Sequence, residues 1–234
     1  MTQEIADRVA LVRERIERAA RRTGRHPSEV RIVAVAKTQP PAAIQAAVDA
    51  GIEDIGENYV QEARAKAGMV RGPVRWHMVG HLQRNKVKTA LEIFSLIHSV
   101  DSLALLEAIE GRARQAGLPR VDLLFEVNLA GEASKTGVAP AALEALFRAV
   151  RDCRHVCVRG LMCIPPPPQR AEDSRPYFRQ LRELRDHWRR LGLPQAPLQE
   201  LSMGMSDDFE VAVEEGATFV RIGRAIFGVR SPAQ

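Results

Sequence analysis

Residues 31–56 read RIVAVAKTQPPAAIQAAVDAGIEDIG. Arg31–Lys37 is a β-branched apolar run, the composition of a strand buried on both faces. Pro40-Pro41 then opens a helix, because proline is tolerated in the first turn. That helix ends at Ala50-Gly51, a glycine stop signal. Ile52–Gly56 is a second, short strand. Strand, helix and strand in so short a stretch make one parallel βαβ unit.

The same alternation continues outward. Upstream, Ile5, Val9, Val12, Ile16 and Ala19 recur at four- and three-residue steps, one apolar stripe on a helix. Thr23-Gly24 and His26-Pro27 end it. Downstream come a helix at Glu57–Ala67, a third strand at Trp76–Gly80 and a helix at Arg84–Leu91. A fourth strand follows at Leu96–Val100, and a helix at Leu103–Ala116 capped by Asp101 or Ser102. The fifth strand is Val121–Asn128, the next helix Ala141–Arg151, the sixth strand Val156–Ile164. Pro165–Pro168 breaks the chain before a long helix over about Ser174–Leu191. Leu198–Met203 is the seventh strand, Asp207–Glu215 a helix capped by Ser206, and Phe219–Ile222 the eighth strand, followed by Arg224–Gly228.

Eight strand–helix units, with no block of different character, predict one domain over residues 1–234. Near-continuous apolar strands mean a parallel sheet covered on both faces. The fold expected is a (β/α)8 TIM barrel at residues 31–228, with an extra N-terminal helix over residues 1–25 covering its bottom or side. An open doubly wound sheet is the alternative. It would need edge strands, and no strand here is shortened, charged or proline-blocked.

Composition narrows the function. The chain has 234 residues, 45% hydrophobic and 27% charged, enough for a full core without metal or disulfide. No run approaches the about 20 apolar residues of a membrane helix. The N-terminus has no apolar signal core, so a cytoplasmic location is expected. Cys153, Cys157 and Cys163 are odd in number and lack framework or zinc-knuckle spacing, so no disulfide scaffold and no metal site is expected. The net charge of +5 is arginine-rich at Arg8–Arg25 and Arg170–Arg190, with acids interspersed. Aromatics are only 5%, which argues for solvated helix faces rather than nucleic-acid binding.

Barrel function sits at the C-terminal strand ends. Lys37 closes the apolar run Ile32–Ala36 and would point into the barrel mouth. A partly desolvated lysine has a lowered pKa and a nucleophilic amine, as Schiff-base chemistry requires. A lysine that merely ends the strand and reaches water fits the spacing equally well. Strand five leads into Glu126, Asn128 and Ser134-Lys135-Thr136-Gly137. Ser202-Met203-Gly204-Met205-Ser206 after strand seven and Gly223-Arg224 after strand eight offer small residues and backbone N–H groups. Such a cup suits an anion; a helix cap and a tight turn would use the same residues. A phosphate cup opposite a strand-one lysine is the more specific pair and points to a phosphorylated aldehyde cofactor, for which pyridoxal phosphate is the obvious candidate. Arg221 faces inward if Ile222 packs outward. A permanent cation near a pyridine nitrogen opposes its protonation and weakens the ring as an electron sink. Pairing of Arg221 with a carboxylate such as Glu126 is the other reading, and both can hold.

Taken together, VAVAKT at 33–38, IGENYVQE at 55–62, WHMVGHLQRNK at 76–86, HSVDS at 98–102, EVNLAGEASKTG at 126–137, RGLMCI at 159–164, LSMGMSDD at 201–208 and VRIGRAIFG at 220–228 resemble the pyridoxal-phosphate homeostasis protein family, single-domain relatives of the alanine racemase barrel. The resemblance covers almost the whole barrel in order. It implies pyridoxal 5'-phosphate as cofactor and Lys37 as its aldimine lysine. It implies Arg221 beside the pyridine nitrogen, and Ser206 with backbone groups at Met205, Gly223 and Arg224 around the phosphate. Asn58 and His81 would line the mouth near the ring, and Met203 would flank it. The implied role is a monomeric carrier that passes the cofactor to apo-forms of pyridoxal enzymes, with no catalytic residue. The alternative is a small amino-acid racemase, which needs an acid/base group on each face of Cα. In the related racemases the second base is a tyrosine of a C-terminal β-domain from the partner subunit. The chain ends at Gln234, soon after strand eight, so no such domain is expected. His81 or Tyr59 would have to serve, and Tyr59 reads instead as a packing residue.

Overall fold

Alternation along the strands sorts their side chains between two cores. Val33, Val79, Leu96, Leu124, Met162 and Phe219 form one small buried cluster. Their chain neighbours Ala34, Ile97, Leu123, Phe125 and Val220 join a far larger cluster shared with the helices. Such a division belongs to a sheet closed on itself with helices outside. The computed structural model, which describes residues 2–132 and 135–228, is that closed parallel barrel, its eight strands in sequence order. Ser134, one of the polar residues expected after strand five, lies outside the described residues.

The strands are β1 (Arg31–Val35), β2 (Asp54–Glu57), β3 (Arg75–Met78), β4 (Leu96–Val100), β5 (Val121–Glu126), β6 (Val156–Met162), β7 (Glu200–Ser202) and β8 (Phe219–Ile222). The helices are α1 (Thr2–Arg22), α2 (Pro41–Asp49), α3 (Val60–Ala67), α4 (Val87–Ile93), α5 (Leu103–Gln115), α6 (Leu143–Val150), α7 (Arg175–Arg189), α8 (Phe209–Glu214) and α9 (Arg224–Phe227). β1 and β8 close the barrel, Val33 opposite Arg221 and Ala34 opposite Ile222. α1 buries Ile5, Val9, Val12, Ile16 and Ala19 against α2, α8 and α9, so it covers the side of the barrel. Arg13 reaches from it to the carbonyls of Ala50 and Gly51, at 2.9 and 2.7 Å. Those carbonyls belong to the cap residue of α2 and the glycine after it.

Element boundaries shift where a side chain competes for the backbone. β1 stops at Val35 rather than Lys37: one more ladder bond forms, Ala36 N–H to Gly56 O at 2.8 Å, and Thr38 then turns at φ 63°. Ser102, not Asp101, caps α5, accepting from Leu105 N–H at 3.3 Å. α8 starts later than expected and its N-cap is Asp208, not Ser206. Asp208 Oδ1 takes the Met205 N–H at 2.7 Å and closes the loop on itself, while Ser206 bonds elsewhere. The arginine-rich helices pair with the acids between them: Arg175 of α7 meets Glu172, Glu214 and Glu215. Among the described residues, no helix is long and apolar enough to cross a membrane and no His/Cys/Asp/Glu group is arranged to hold a metal ion. The three cysteines are free and buried.

Candidate functional site at the barrel mouth

Lys37 reaches the mouth through its backbone. Val33 and Val35 face the lumen, and continued alternation puts Lys37 on the same side. The peptide units on either side of it are tied down. Lys66 of α3 donates to Ala36 O at 3.1 Å, to Glu57 at 2.8 Å and to Glu62 at 2.8 Å. Glu62 in turn accepts the Thr38 N–H at 2.9 Å. Burial alone would lower the Lys66 ammonium, but the bonds to Glu57 and Glu62 outweigh it and raise it. All three Lys66 donors are therefore engaged and the group stays charged, so Lys66 itself is not a nucleophilic amine.

Lys37, Asn58, Met205, Ser206, Arg221, Gly223 and Arg224 line one cavity of about 510 Å3. Two glycines let the chain pack closely around it. A Cβ on Gly80 would lie 2.5 Å from Asn58 O, so glycine lets the β3 end pack against the Asn58 backbone. Gly204 sits at φ 90°, a conformation that suits glycine, and its carbonyl accepts the Arg221 N–H at 3.0 Å. Ile222 packs outward and Arg221 inward. Its guanidinium is buried and donates to Ser202 Oγ at 2.7 Å and to Cys163 O at 2.8 Å. It does not bond Glu126, the carboxylate considered as its partner; Glu126 takes the Thr136 hydroxyl at 2.6 Å instead. Burial raises the Glu126 carboxyl and pushes the Cys163 thiol up to about 12. Opposite, Ser206 Oγ accepts the Ala225 N–H at 3.1 Å from the first turn of α9, which leaves the hydroxyl proton for another acceptor. The Met205 N–H is already committed to Asp208, and the Arg224 side chain pairs with Asp207 on the rim.

Two expected residues are not brought into this lining. Met203 is fully buried in the larger apolar core. His81 pairs with Asp101 at 3.2 Å and lines a neighbouring hollow of about 260 Å3, which shares Asn58 with the main cavity. Tyr59 is 59% exposed at the start of α3, so packing is not its role. A larger groove of about 780 Å3, lined by Gln83, Glu107 and Arg112 among others, contains none of the mouth residues. Chemistry rather than size locates the site.

Residues 9–231 match the family described as alanine racemase, N-terminal domain. The chain is 45% identical to the pyridoxal phosphate homeostasis protein of Pseudomonas aeruginosa, over 97% of this chain and 96% of that protein. It is 40% identical to the Escherichia coli K12 protein of the same name, over 97% of both. The chain belongs to the pyridoxal phosphate homeostasis protein family, with the alanine racemase N-terminal fold. Among solved structures it is similar to PipY of Synechococcus elongatus PCC7942 with PLP bound, at TM-score 0.83 and 39% identity over 96% of this chain and 100% of that one. In this homeostasis-family chain, Glu62 and Lys66 shape the site without a part expected for them from sequence, and Ser202, read as part of the anion cup, holds Arg221 instead. Glu62 and Lys66 stand four apart, a spacing that signals a helical pair. Nothing in the sequence signals that the Cys163 carbonyl holds Arg221.

Proposed function

We propose that this protein binds pyridoxal 5'-phosphate in the mouth cavity and keeps it available to apoenzymes rather than turning over amino acids. One observation carries the reading: a half-buried lysine amine and a hydroxyl-lined turn share a cavity floored by a buried arginine. That donor set fits a phosphorylated aldehyde. Lys37 supplies the primary amine, Ser206 with the Gly223-Arg224 turn holds the phosphate, and Arg221 meets the ring nitrogen. When bound, the cofactor supplies an aldehyde and an electron-withdrawing ring. Arg221 restrains the second of these, because a fixed cation disfavours a further positive charge beside it. A racemase would need a base on the face opposite Lys37. His81 and the largely exposed Tyr59 both line the neighbouring hollow and not the cavity that holds Lys37. That placement supports a carrier.

The test is chemical. Protein loaded with pyridoxal phosphate and reduced with borohydride should carry the cofactor on the Lys37 peptide by mass spectrometry, and Lys37→Ala should abolish the adduct. An adduct on Lys86 or Lys135 would overturn the assignment. Loaded protein mixed with an apo pyridoxal enzyme should restore that enzyme's activity. In deuterated water, L- or D-alanine should gain no deuterium at Cα at an enzyme-like rate.

A further inference from the structure

A chain of polar side chains crosses the barrel lumen from its N-terminal end to the floor of the mouth. Arg75 grips Asp54 through Nε–Oδ1 at 2.6 Å and Nη2–Oδ2 at 3.1 Å. His77 Nε2 lies 3.0 Å from the same Oδ1. His77 Nδ1 lies 2.9 Å from His98 Nε2, and His98 Nδ1 lies 2.8 Å from Ser202 Oγ. Arg221 Nη1 closes the chain on Ser202 Oγ at 2.7 Å. From Asp54 to Arg221 no member is more than 4% exposed. Phe219 packs edge-on against both imidazoles, and the lumen cluster around it is apolar.

The ends of the chain decide where its hydrogens lie. A guanidinium only donates and a carboxylate only accepts. Burial alone would raise Asp54, but bonds from His77 and Arg75 outweigh it and hold the carboxyl at about 2, so it is ionised. Burial, with the Arg221 and Arg31 cations nearby, keeps His98 well below the ordinary histidine range, so it is neutral. His98 then has one ring hydrogen to place. On Nε2 it donates to His77 Nδ1, and Nδ1 accepts the Ser202 hydroxyl. His77 donates from Nε2 to Asp54, and the Ser202 lone pair receives Arg221. Every donor and acceptor is matched. On Nδ1 it would instead point at Ser202 Oγ, which Arg221 already enters. The Ser202 proton would lose its acceptor, and His77 would need hydrogens on both nitrogens, placing another cation between Arg75 and Arg221. An unmatched buried donor and an added buried charge are both costly.

We propose that Asp54, His77, His98 and Ser202 form a proton-ordered relay that orients the Arg221 guanidinium at the mouth, making both histidines positioning residues for the ring that Arg221 meets. Ser202 on one side and the Cys163 carbonyl on the other each hold one terminal nitrogen, which sets the plane of an otherwise flexible side chain. Only the last step, from Arg221 to a ring, rests on the pyridoxal phosphate reading.

Nitrogen-15 NMR of histidine-labelled, unloaded wild-type protein tests the relay itself. His77 and His98, assigned by the signals lost in His77→Gln and His98→Gln, should both be neutral and protonated on Nε2. A cationic His77, or a hydrogen on His98 Nδ1, overturns the relay. Titration with pyridoxal phosphate tests its purpose. His98→Gln and Ser202→Ala should raise the dissociation constant about tenfold and shift the absorption maximum of the bound cofactor, while borohydride still traps it on Lys37. An unchanged constant and spectrum in folded His98→Gln overturn the positioning role. The expected tautomers in a wild-type protein that forms no Lys37 adduct would support the relay and overturn the cofactor reading.

Discussion

Lys37 owes its direction to the two peptide units beside it. Glu62 holds the Thr38 N–H and Lys66 holds the Ala36 carbonyl, so the chain is pinned while Thr38 occupies a left-handed conformation at φ 63°. A β-branched residue there is an outlier that costs on the order of 1–3 kcal/mol, and it persists only where its surroundings over-determine it. Lys66→Met removes that support and strands the buried Glu57 carboxyl without its cation. The expected loss is about 3–5 kcal/mol of stability by urea unfolding. Any folded fraction should trap pyridoxal phosphate on Lys37 more slowly than wild type does. At the other wall, Ser206→Ala deletes one hydrogen bond to a charged oxygen, on the order of 1.5–3 kcal/mol. The dissociation constant for pyridoxal phosphate should rise roughly ten- to a hundredfold, with unphosphorylated pyridoxal little affected. Equal binding of the two vitamers by wild type would place the phosphate cup elsewhere. The place of Lys37 at the mouth was legible because it closes an apolar run. Its clamp was not, because Glu62 and Lys66 lie on the next helix and act on backbone atoms.

Elements meet at the mouth under tight steric terms. β3 runs out at Gly80 against the Asn58 backbone, with no room for a methyl group. Gly80→Ala must push the β2–α3 connection away, carrying Asn58 with it. We expect a loss of about 1–3 kcal/mol in unfolding free energy together with weaker cofactor binding. α1 shows the opposite case, an element placed by its sequence pattern. Its stripe predicted a buried face, and that face lies on α2, α8 and α9. Ile16→Ala, at a buried position of that stripe, should cost roughly 2–5 kcal/mol by urea unfolding while leaving the cofactor spectrum unchanged. Strand and helix ends were less legible than their centres. Ladder bonds and side-chain bonds to loop backbone settle them, as when Asp208 takes the Met205 N–H and α8 begins only after it.

The molecule as a whole places a polar chain along the axis of an apolar barrel, and pH should report it. His98 is held neutral by burial, so the unfolded chain binds more protons there than the native one below the ordinary histidine pKa of about 6.5. Stability should therefore fall as pH drops from about 7 toward 5, by up to about 1.4 kcal/mol per unit from this group. Asp54, depressed from 3.8 to about 2, contributes stability that is present above its unfolded pKa and lost as pH falls through that window. Glu57 and Glu126, raised by burial, act in the opposite sense and gain stability on acidification, so they blunt the slope. Urea midpoints of wild type and His98→Gln between pH 7.5 and 5 check the histidine's share: the fall on acidification should be steeper in wild type, and equal slopes would overturn the assignment to His98.

Hydrophobic periodicity and the spacing of turn residues determined the barrel and its order, because both are local and repeat in every βα unit. They also determined that Lys37, Ser206, Gly223 and Arg221 belong to strand ends on one face, since a parallel barrel sends all those ends the same way. Only the tertiary structure decided which of them share a cavity. It sent Met203 into the core and His81 into the neighbouring hollow. It also decided what holds Arg221. Asp54, His77, His98 and Ser202 stand on four different strands, far apart in the chain, and their line of hydrogen bonds exists only once closure of the sheet brings those strands around one axis.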